Sequence, residues 1–440
     1  MADRATSHRG LARFSHAWRA LHHRNFRLFF FGQSISLVGT WMTRLATGWL
    51  VYHLTHSALL LGVVGFSGQI ASLLVGPFAG VWVERIDRRK LLLTTQVAAA
   101  VQSFTLAALA LTHVVTLWEI IVLAVFQGLI NAFDMPGRQS FLVRMVDNPN
   151  DLGNAIAINS SMATGARLVG PAIAGLIIAA FGEGWCFFID GVSYFAVIVS
   201  LLFLAVHPVA ERRRQNSMFQ EIREGWDYVR SFRTIRVILL LFALMSLMGY
   251  SYSVLLPVFA SDVLHGNANT LGWLTAASGA GALVSALSLA IRKSVDGLPR
   301  MISVAGATLG VALILFGFSH VLWLSLVAMV FVGFGLTQCA SASNTIIQSL
   351  VADGMRARVM GYFTMSFFGA APLGSLLAGF LAHSFGAPVA TSVAGVFCVA
   401  GALWFAFQLP AINAAAQSTL AAKVPHEGHR PAPTAEPRAA

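Results

Sequence analysis

Between Leu28 and Leu409 the chain is a succession of apolar runs separated by short polar breaks. Twelve runs lie near residues 28–52, 58–83, 91–112, 117–136, 155–181, 185–206, 237–261, 270–291, 300–319, 322–345, 358–383 and 387–409. A bilayer crossing needs about 20 mostly apolar residues, and each run is long enough. Backbone amides and carbonyls in hydrocarbon must bond within their own segment, so the runs predict helices. The short alternating segments of a membrane barrel do not occur. Only 11% of the residues are charged, against roughly 25% in a soluble domain. The expected fold class is an all-α membrane protein.

Charge placement then orients the runs. The net charge of +11 would suggest a nucleic-acid or acidic partner in a soluble protein. Here position matters more than the total. Of 29 lysines and arginines only Arg44 and Arg167 fall inside runs. The rest occupy the N-terminal segment, the even-numbered connections, the C-terminal tail, or the run ends beside them; we call this the basic face. The odd-numbered connections hold no Lys or Arg, only residues such as His53, His56, His113, Glu183, Asp262, His265, His320 and His383. By the positive-inside rule the basic face is cytoplasmic, with both termini on it and no nucleic-acid partner expected. Residues 1–26 contain Arg4, Arg9, Arg13, Arg19 and Arg24 without an apolar core, so no cleaved leader is expected and the first run predicts a retained helix.

One connection is long. Residues 207–236 split the runs six and six and predict a basic helix lying along the membrane surface. The expected organisation is a cytoplasmic segment over 1–26, bundles over 27–206 and 237–410, the linker 207–236 between them, and a disordered Ala- and Pro-rich tail over 411–440. The two halves echo each other. "GARLVGPAIAGLIIAAFG" (165–182) matches "GAAPLGSLLAGFLAHSFG" (369–386), with Gly165, Gly170, Ala174, Gly175, Phe181 and Gly182 recurring at an offset of 204. A weaker echo links Gly39 and Leu61-Gly62 to Gly249 and Leu271-Gly272. A parallel repeat of six helices is a transporter signature. Cys186, Cys339 and Cys398 lie far apart inside apolar runs, which predicts small buried hydrophobes rather than disulfides or metal ligands.

The connection after the second run reads "GVWVERIDRRK" (80–90). Its Gly80, Glu84, Arg85, Arg88 and Arg89 resemble the loop motif of the major facilitator superfamily, with Glu84 where Asp is usual and Asp87 where Gly is common. The stretches "FDMPGRQSFLVRMV" (133–146), "LGNAIAINSSMATGARLVGP" (152–171) and "MRARVMGYFTMSFFGAAPLG" (355–374) are similar to its drug- and siderophore-exporter-like branch, the transmembrane secretion effector type of the enterobactin exporter. The resemblance covers residues 20–410. It implies a monomeric secondary transporter in a bacterial inner membrane, with two pseudo-symmetric six-helix bundles. It implies a small-molecule substrate, an amphiphilic drug or siderophore exported by alternating access, and protons as coupling ion. Metabolite uptake, or a receptor or assembly factor on the same fold, stays open beside it. The resemblance also implies a gate. Glu84 would face the positive N-terminus of the eleventh helix, near Arg356 to Met360, when the basic face is closed. Arg88 or Arg89 would pair with Asp134, and Gly80, Arg85, Asp87 and Arg138 belong to the same latch. The plain reading of these arginines is a positive-inside anchor.

Ionisable residues within spans are functional candidates by default. Arg44, Arg167, Glu119 and Asp190 are such candidates for substrate or proton coupling, with Glu119 or Asp190 as partners for Arg44. The alternative is a structural ion pair in the first half. The second half has no mid-span acid, so a proton site falls to Asp134, Glu119 or Asp190. The arginine that many superfamily antiporters carry three residues before Gln-Gly in the fourth helix is Ala124 here, before Gln127-Gly128. All thirteen histidines lie at boundaries or in tails, which disfavours a histidine relay. Gly165, Gly170, Pro171 and Gly175 predict close packing of the fifth helix, as a hinge or as ordinary small-residue contact. Trp41, Trp49, Phe126 and Phe133 are candidates for an apolar pocket wall, or for lipid and core. No nucleophile–base pair, metal cluster, cofactor motif or phosphate loop is present, so neither an enzyme nor a cofactor is expected.

Overall fold

The computed structural model of the protein describes residues 19–83, 86–142, 145–146, 148–204, 218–292 and 297–423. Within these, twelve long helical elements follow the predicted runs. The first six are α1 (Arg24–Thr55), α2 (Ala58–Val83), α3 (Arg88–Leu111), α4 (Leu117–Leu142), α5 (Leu152–Phe181) and α6 (Glu183–Phe203). The second six are α7 (Arg233–Val263), α8 (Ala268–Ala290), α9 (Leu298–Phe318), α10 (Leu322–Leu350), α11 (Arg356–Phe385) and α12 (Ala387–Lys423). Eleven of the twelve are apolar and long enough to cross a membrane. The other, α1, is diluted by Arg24, Arg27 and Arg44, but its 32 residues reach about 48 Å.

The outward faces explain why the chain requires lipid. Phe31, Leu74, Phe78, Trp118, Phe181, Phe203, Phe318 and Phe407 all present large apolar side chains at the surface. A soluble monomer rarely tolerates apolar patches on that scale. The structure is a multi-pass all-α membrane protein.

Packing repeats with a period of six helices. In the first half α1 contacts α5 and α6, α2 contacts α4, and α3 contacts α4 and α6. In the second half α7 contacts α11 and α12, α8 contacts α10, and α9 contacts α10 and α12. The halves are joined mainly by two crossed pairs, α2 with α11 and α5 with α8. The echoed glycines make these joints. A Cβ at Gly175 would lie 2.8 Å from the Ala268 carbonyl oxygen and 3.2 Å from the Gly272 Cα. A Cβ at Gly379 would lie 2.8 Å from the Ala58 carbonyl oxygen and 2.9 Å from the Gly62 Cα. So both sequence echoes, at offsets of 204 and 210, are the two sides of one contact used twice. Without a Cβ on either side, the backbones reach van der Waals contact.

Within the expected linker a helix runs over Met218–Ser231, and α7 already begins at Arg233, three residues inside the expected bound of 236. The tail from 411 is not wholly disordered, since α12 continues past Pro410 to Lys423. The reason is its composition: "AINAAAQSTLAAK" is rich in alanine, the strongest helix former. Residues 424–440 lie outside the described residues, as does the segment 1–18.

Candidate functional site

A cavity of about 1030 Å³ lies between the two halves. Its wall is built from α1 to α4 on one side and α7, α8 and α11 on the other, with Ile222 of the surface helix. It reaches the basic-face ends of α4 and α11, where the lining residues Met135, Gln139, Gly361 and Thr364 are exposed. Towards the opposite face it is closed by the glycine joints and, beyond them, by a bond between the halves. There the Tyr52 hydroxyl of α1 donates to the Asp262 carboxylate of α7.

The two walls differ chemically. Every charged or amide side chain on the described wall comes from the first half: Arg44, Gln69, Gln102, Gln127, Asn131 and Gln139. On α4, Gln127, Asn131, Met135 and Gln139 recur every four residues, so one helix face is presented to the cavity. The second half supplies Tyr250, Tyr362, Phe367 and Phe368 with small and aliphatic residues. Here α7 is not a regular helix. Two π-helical segments, Met245–Gly249 and Phe259–Val263, flank Tyr252–Val258. Such bulges shift the register of the following side chains and are frequent at functional sites. Residues between them, including Ser253, Val254 and Leu256, line the cavity, and the second segment carries Asp262 to Tyr52.

Of the predicted ionisable residues, Arg44 alone lines the cavity. Its Cζ stands 4.9 Å from the Trp41 ring centroid, a cation–π distance. It does not pair with Glu119 or Asp190. Glu119 is occupied at the start of α4, accepting from the Thr116 amide (2.7 Å) and hydroxyl (3.1 Å) as a helix cap. Asp190 is 1% exposed between α1, α3 and α6. It accepts from Thr43 (2.8 Å), Ser103 (3.0 Å) and Ser193 (3.5 Å). Arg167 is the second guanidinium near Trp41, 5.7 Å from its ring centroid. It donates across the halves to Ser278 (3.2 Å), whose hydroxyl is bonded to Tyr252 (2.8 Å).

The expected latch distributes differently. Asp134, 3% exposed, does not pair with Arg88 or Arg89. Its carboxylate is bonded by Arg138 (2.6 Å), Thr95 (3.0 Å) and Gln96 (2.8 Å), all within α3 and α4. Arg138 is one helical turn from Asp134 and so reaches it first. Arg89 instead donates to the Leu202 carbonyl at 2.6 Å. Asp87 is the N-cap of α3, accepting from the amides of Arg89 and Lys90. Gly80 lies near the end of α2, and Glu84 and Arg85 are outside the described residues. On the second half, Arg358 at the start of α11 pairs with Glu224 of the surface helix at 2.8 Å.

The glycine-rich fifth helix is only partly as expected. Gly170 and Gly175 meet α1 and α8 closely, and the Pro171 carbonyl faces Gly272. Gly165 meets nothing within 4 Å, so its lack of a Cβ serves no contact here. Of the four aromatic candidates only Trp41 lines the cavity. Phe126 is turned outward, and Trp49 stacks on His53. The amide set and the Tyr52–Asp262 bond were not foreseen. The four-residue amide spacing in α4 was the available signal for the first; nothing local marked the second.

Known proteins carry this architecture. Residues 15–429 match the family described as transmembrane secretion effector. The staphyloferrin A transporter of Staphylococcus aureus is 27% identical over 86% of this chain and 95% of its own length. The multidrug efflux pump Tap of Mycolicibacterium fortuitum is 28% identical over 79% of this chain and 87% of its own. The enterobactin exporter of Shigella boydii is 25% identical over 85% of this chain and 89% of its own. Among solved structures, the nucleoside transporter NupG superposes over 87% of this chain and 98% of its own, with a TM-score of 0.69 and 14% identity. A bacterial homologue of the lysosomal transporter Spinster covers 90% of this chain and 97% of its own, at 0.66 and 13%.

Proposed function

The chain belongs to the transmembrane secretion effector family of the major facilitator superfamily, and from that membership we propose that it exports an amphiphilic small molecule, a drug-like compound or a siderophore, from the bacterial cytoplasm. The observation that carries this reading is the cavity itself: polar on one half, apolar on the other, reaching the basic face and closed at the opposite one. With the basic face cytoplasmic, this is the loading state. The cargo is released when the halves rock about the midplane site, opening the Tyr52–Asp262 side. The relatives named as a multidrug efflux pump and an enterobactin exporter support the direction.

Export against a gradient needs an energy source, and we assign it to protons. Asp190 is the carboxylate suited to carry one. It is buried without a cationic partner among the described residues, and Thr43 connects it to the cavity wall. Asp134 is neutralised by Arg138, and Glu119 caps a helix end. Protonation of Asp190 removes a buried charge and the need for three hydroxyl donors, which frees Thr43 to reorient. The chain acts as a monomer, because one chain contains the whole cavity.

The test uses inside-out membrane vesicles energised with a proton gradient, followed by a pH-sensitive dye. Lipophilic cations, catecholate siderophores and sugars are added in turn. Release of the gradient by one class, lost in Asp190→Asn, is the expected result. A gradient that no compound disturbs, with folded protein present, would remove proton-coupled export.

A further inference from the structure

The chemistry of the wall narrows the cargo further. Among the described lining residues the only charged group is Arg44, and no carboxylate faces the cavity. No ion pair or hydrogen bond reaches Arg44 among the described residues; its one close partner is the Trp41 ring. A second guanidinium, Arg167, stands by the same ring and adds to the positive potential there. Asp190 is not on the described wall; it lies behind Thr43, held by three hydroxyls. Arg44 is exposed to the cavity within a membrane-spanning helix, so its guanidinium is open to an anion that enters there.

We infer that the cavity selects an organic oxyanion with an apolar or aromatic body, its carboxylate or other oxyanion bonded by Arg44 beside Trp41. This rests on the reading of the chain as a transporter of amphiphilic small molecules. Planar guanidinium matches carboxylate geometry with two parallel hydrogen bonds. The amides of Gln69, Gln102, Gln127 and Asn131 receive further oxygen atoms of the cargo. Its apolar body lies against Tyr250, Phe367 and Phe368 of the second half. A lipophilic cation would find repulsion at Arg44 and no carboxylate in compensation. The wall therefore discriminates by charge and not only by greasiness.

The experiment uses the full chain in lipid nanodiscs and three probes sharing one body: 1-pyrenebutyrate, 1-pyrenebutanol and 1-pyrenebutylammonium. Binding is read by energy transfer from tryptophan to pyrene, with empty nanodiscs subtracted. The anion is expected to bind about tenfold or more tightly than the cation, as a charge-assisted bond implies. Arg44→Lys keeps the order of affinities, and Arg44→Gln abolishes it while leaving pyrenebutanol unchanged. Should Arg44→Gln fail to fold, Arg44→Lys decides: a retained anion preference supports the site and a lost one overturns it. Equal affinities in the wild type, a cation preference, no binding of pyrenebutyrate up to the millimolar range, or a preference surviving Arg44→Gln overturns the inference. Transport is read separately in proteoliposomes. Binding that depends on Arg44, with nothing moved across the membrane, removes the exporter reading and leaves the anion site. Movement of cations but not anions does the reverse.

Discussion

Asp134 and Asp190 are both carboxylates buried in the first half, and their partners set them apart. Asp134 has a guanidinium and two further donors, so its charge is compensated within α3 and α4. Replacing it by alanine strands Arg138 and should cost about 3 kcal/mol. The measurement is a thermal unfolding scan: Asp134→Ala melts earlier, with probe affinities unchanged in the protein that remains folded. Asp190 has hydroxyl donors only. Asp190→Asn keeps a hydrogen-bonding group of the same size, so folding and probe binding should persist while gradient-driven transport is lost. Loss of binding in Asp190→Asn would make it a structural residue instead. The sequence marks both residues as ionisable groups inside spans. It does not reveal which one has a cation, because a pairing depends on rotation about each helix axis. Only two of these neighbours, Arg138 at four residues from Asp134 and Ser193 at three from Asp190, are written in local spacing. That is also why the expected Arg88 or Arg89 pair with Asp134 does not form, while Asp87 is used as a cap at its own helix start.

Helices were more readable than side-chain partners, since a bilayer demands one solution from every apolar run. The glycine echoes went further, because a repeat constrains contacts as well as elements. The offsets match Gly175 with Gly379 and Gly62 with Gly272, and the structure sets each glycine of one pair against one of the other, Gly175 on Gly272 and Gly379 on Gly62. At this scale Gly175→Val should be severe. Its added atoms meet the backbone of Ala268, Asn269 and Gly272, which cannot move aside as a side chain can. The expected outcome is normal membrane insertion with transport lost and water-soluble thiol reagents reaching cysteines placed on the neighbour of the joint, α8. Gly165→Ala, with open space around it, should stay within about 0.5 kcal/mol of the wild type and transport normally. Equal damage from both would mean that glycine's flexibility, and not the close approach, is what α5 needs. The π segments of α7 were not readable. A register slip of one residue per turn leaves no trace in hydropathy, although Pro257 lies between them.

The molecule as a whole is closed at one end and open at the other, and the two ends use different devices. At the basic face, Glu84 was expected to meet the start of α11 when that face shuts. With the cavity reaching that face, Arg358 at the start of α11 is engaged by Glu224 of the surface helix. At the opposite face the glycine joints are capped by the Tyr52–Asp262 bond, which among the described residues is the one side-chain hydrogen bond between α1 and α7. A hydrogen bond to a charged group contributes about 2 kcal/mol, or about a thirtyfold bias in a two-state equilibrium. Tyr52→Phe removes it and should raise the fraction open at that face, read as faster labelling of a cysteine at Thr275 by a membrane-impermeant reagent added from that side. The native cysteines do not interfere, since all three are buried. The converse experiment is sharper. In Tyr52→Cys with Asp262→Cys, a short bifunctional thiol reagent should hold that face shut. Transport should stop, 1-pyrenebutyrate should still bind from the basic face, and a reducible reagent should allow recovery. If transport continues while the pair is crosslinked, the halves do not separate at this face and the cargo leaves by another route. If binding is lost as well, the Tyr52 end shapes the cavity directly, and closure there belongs to cargo recognition rather than to the gate.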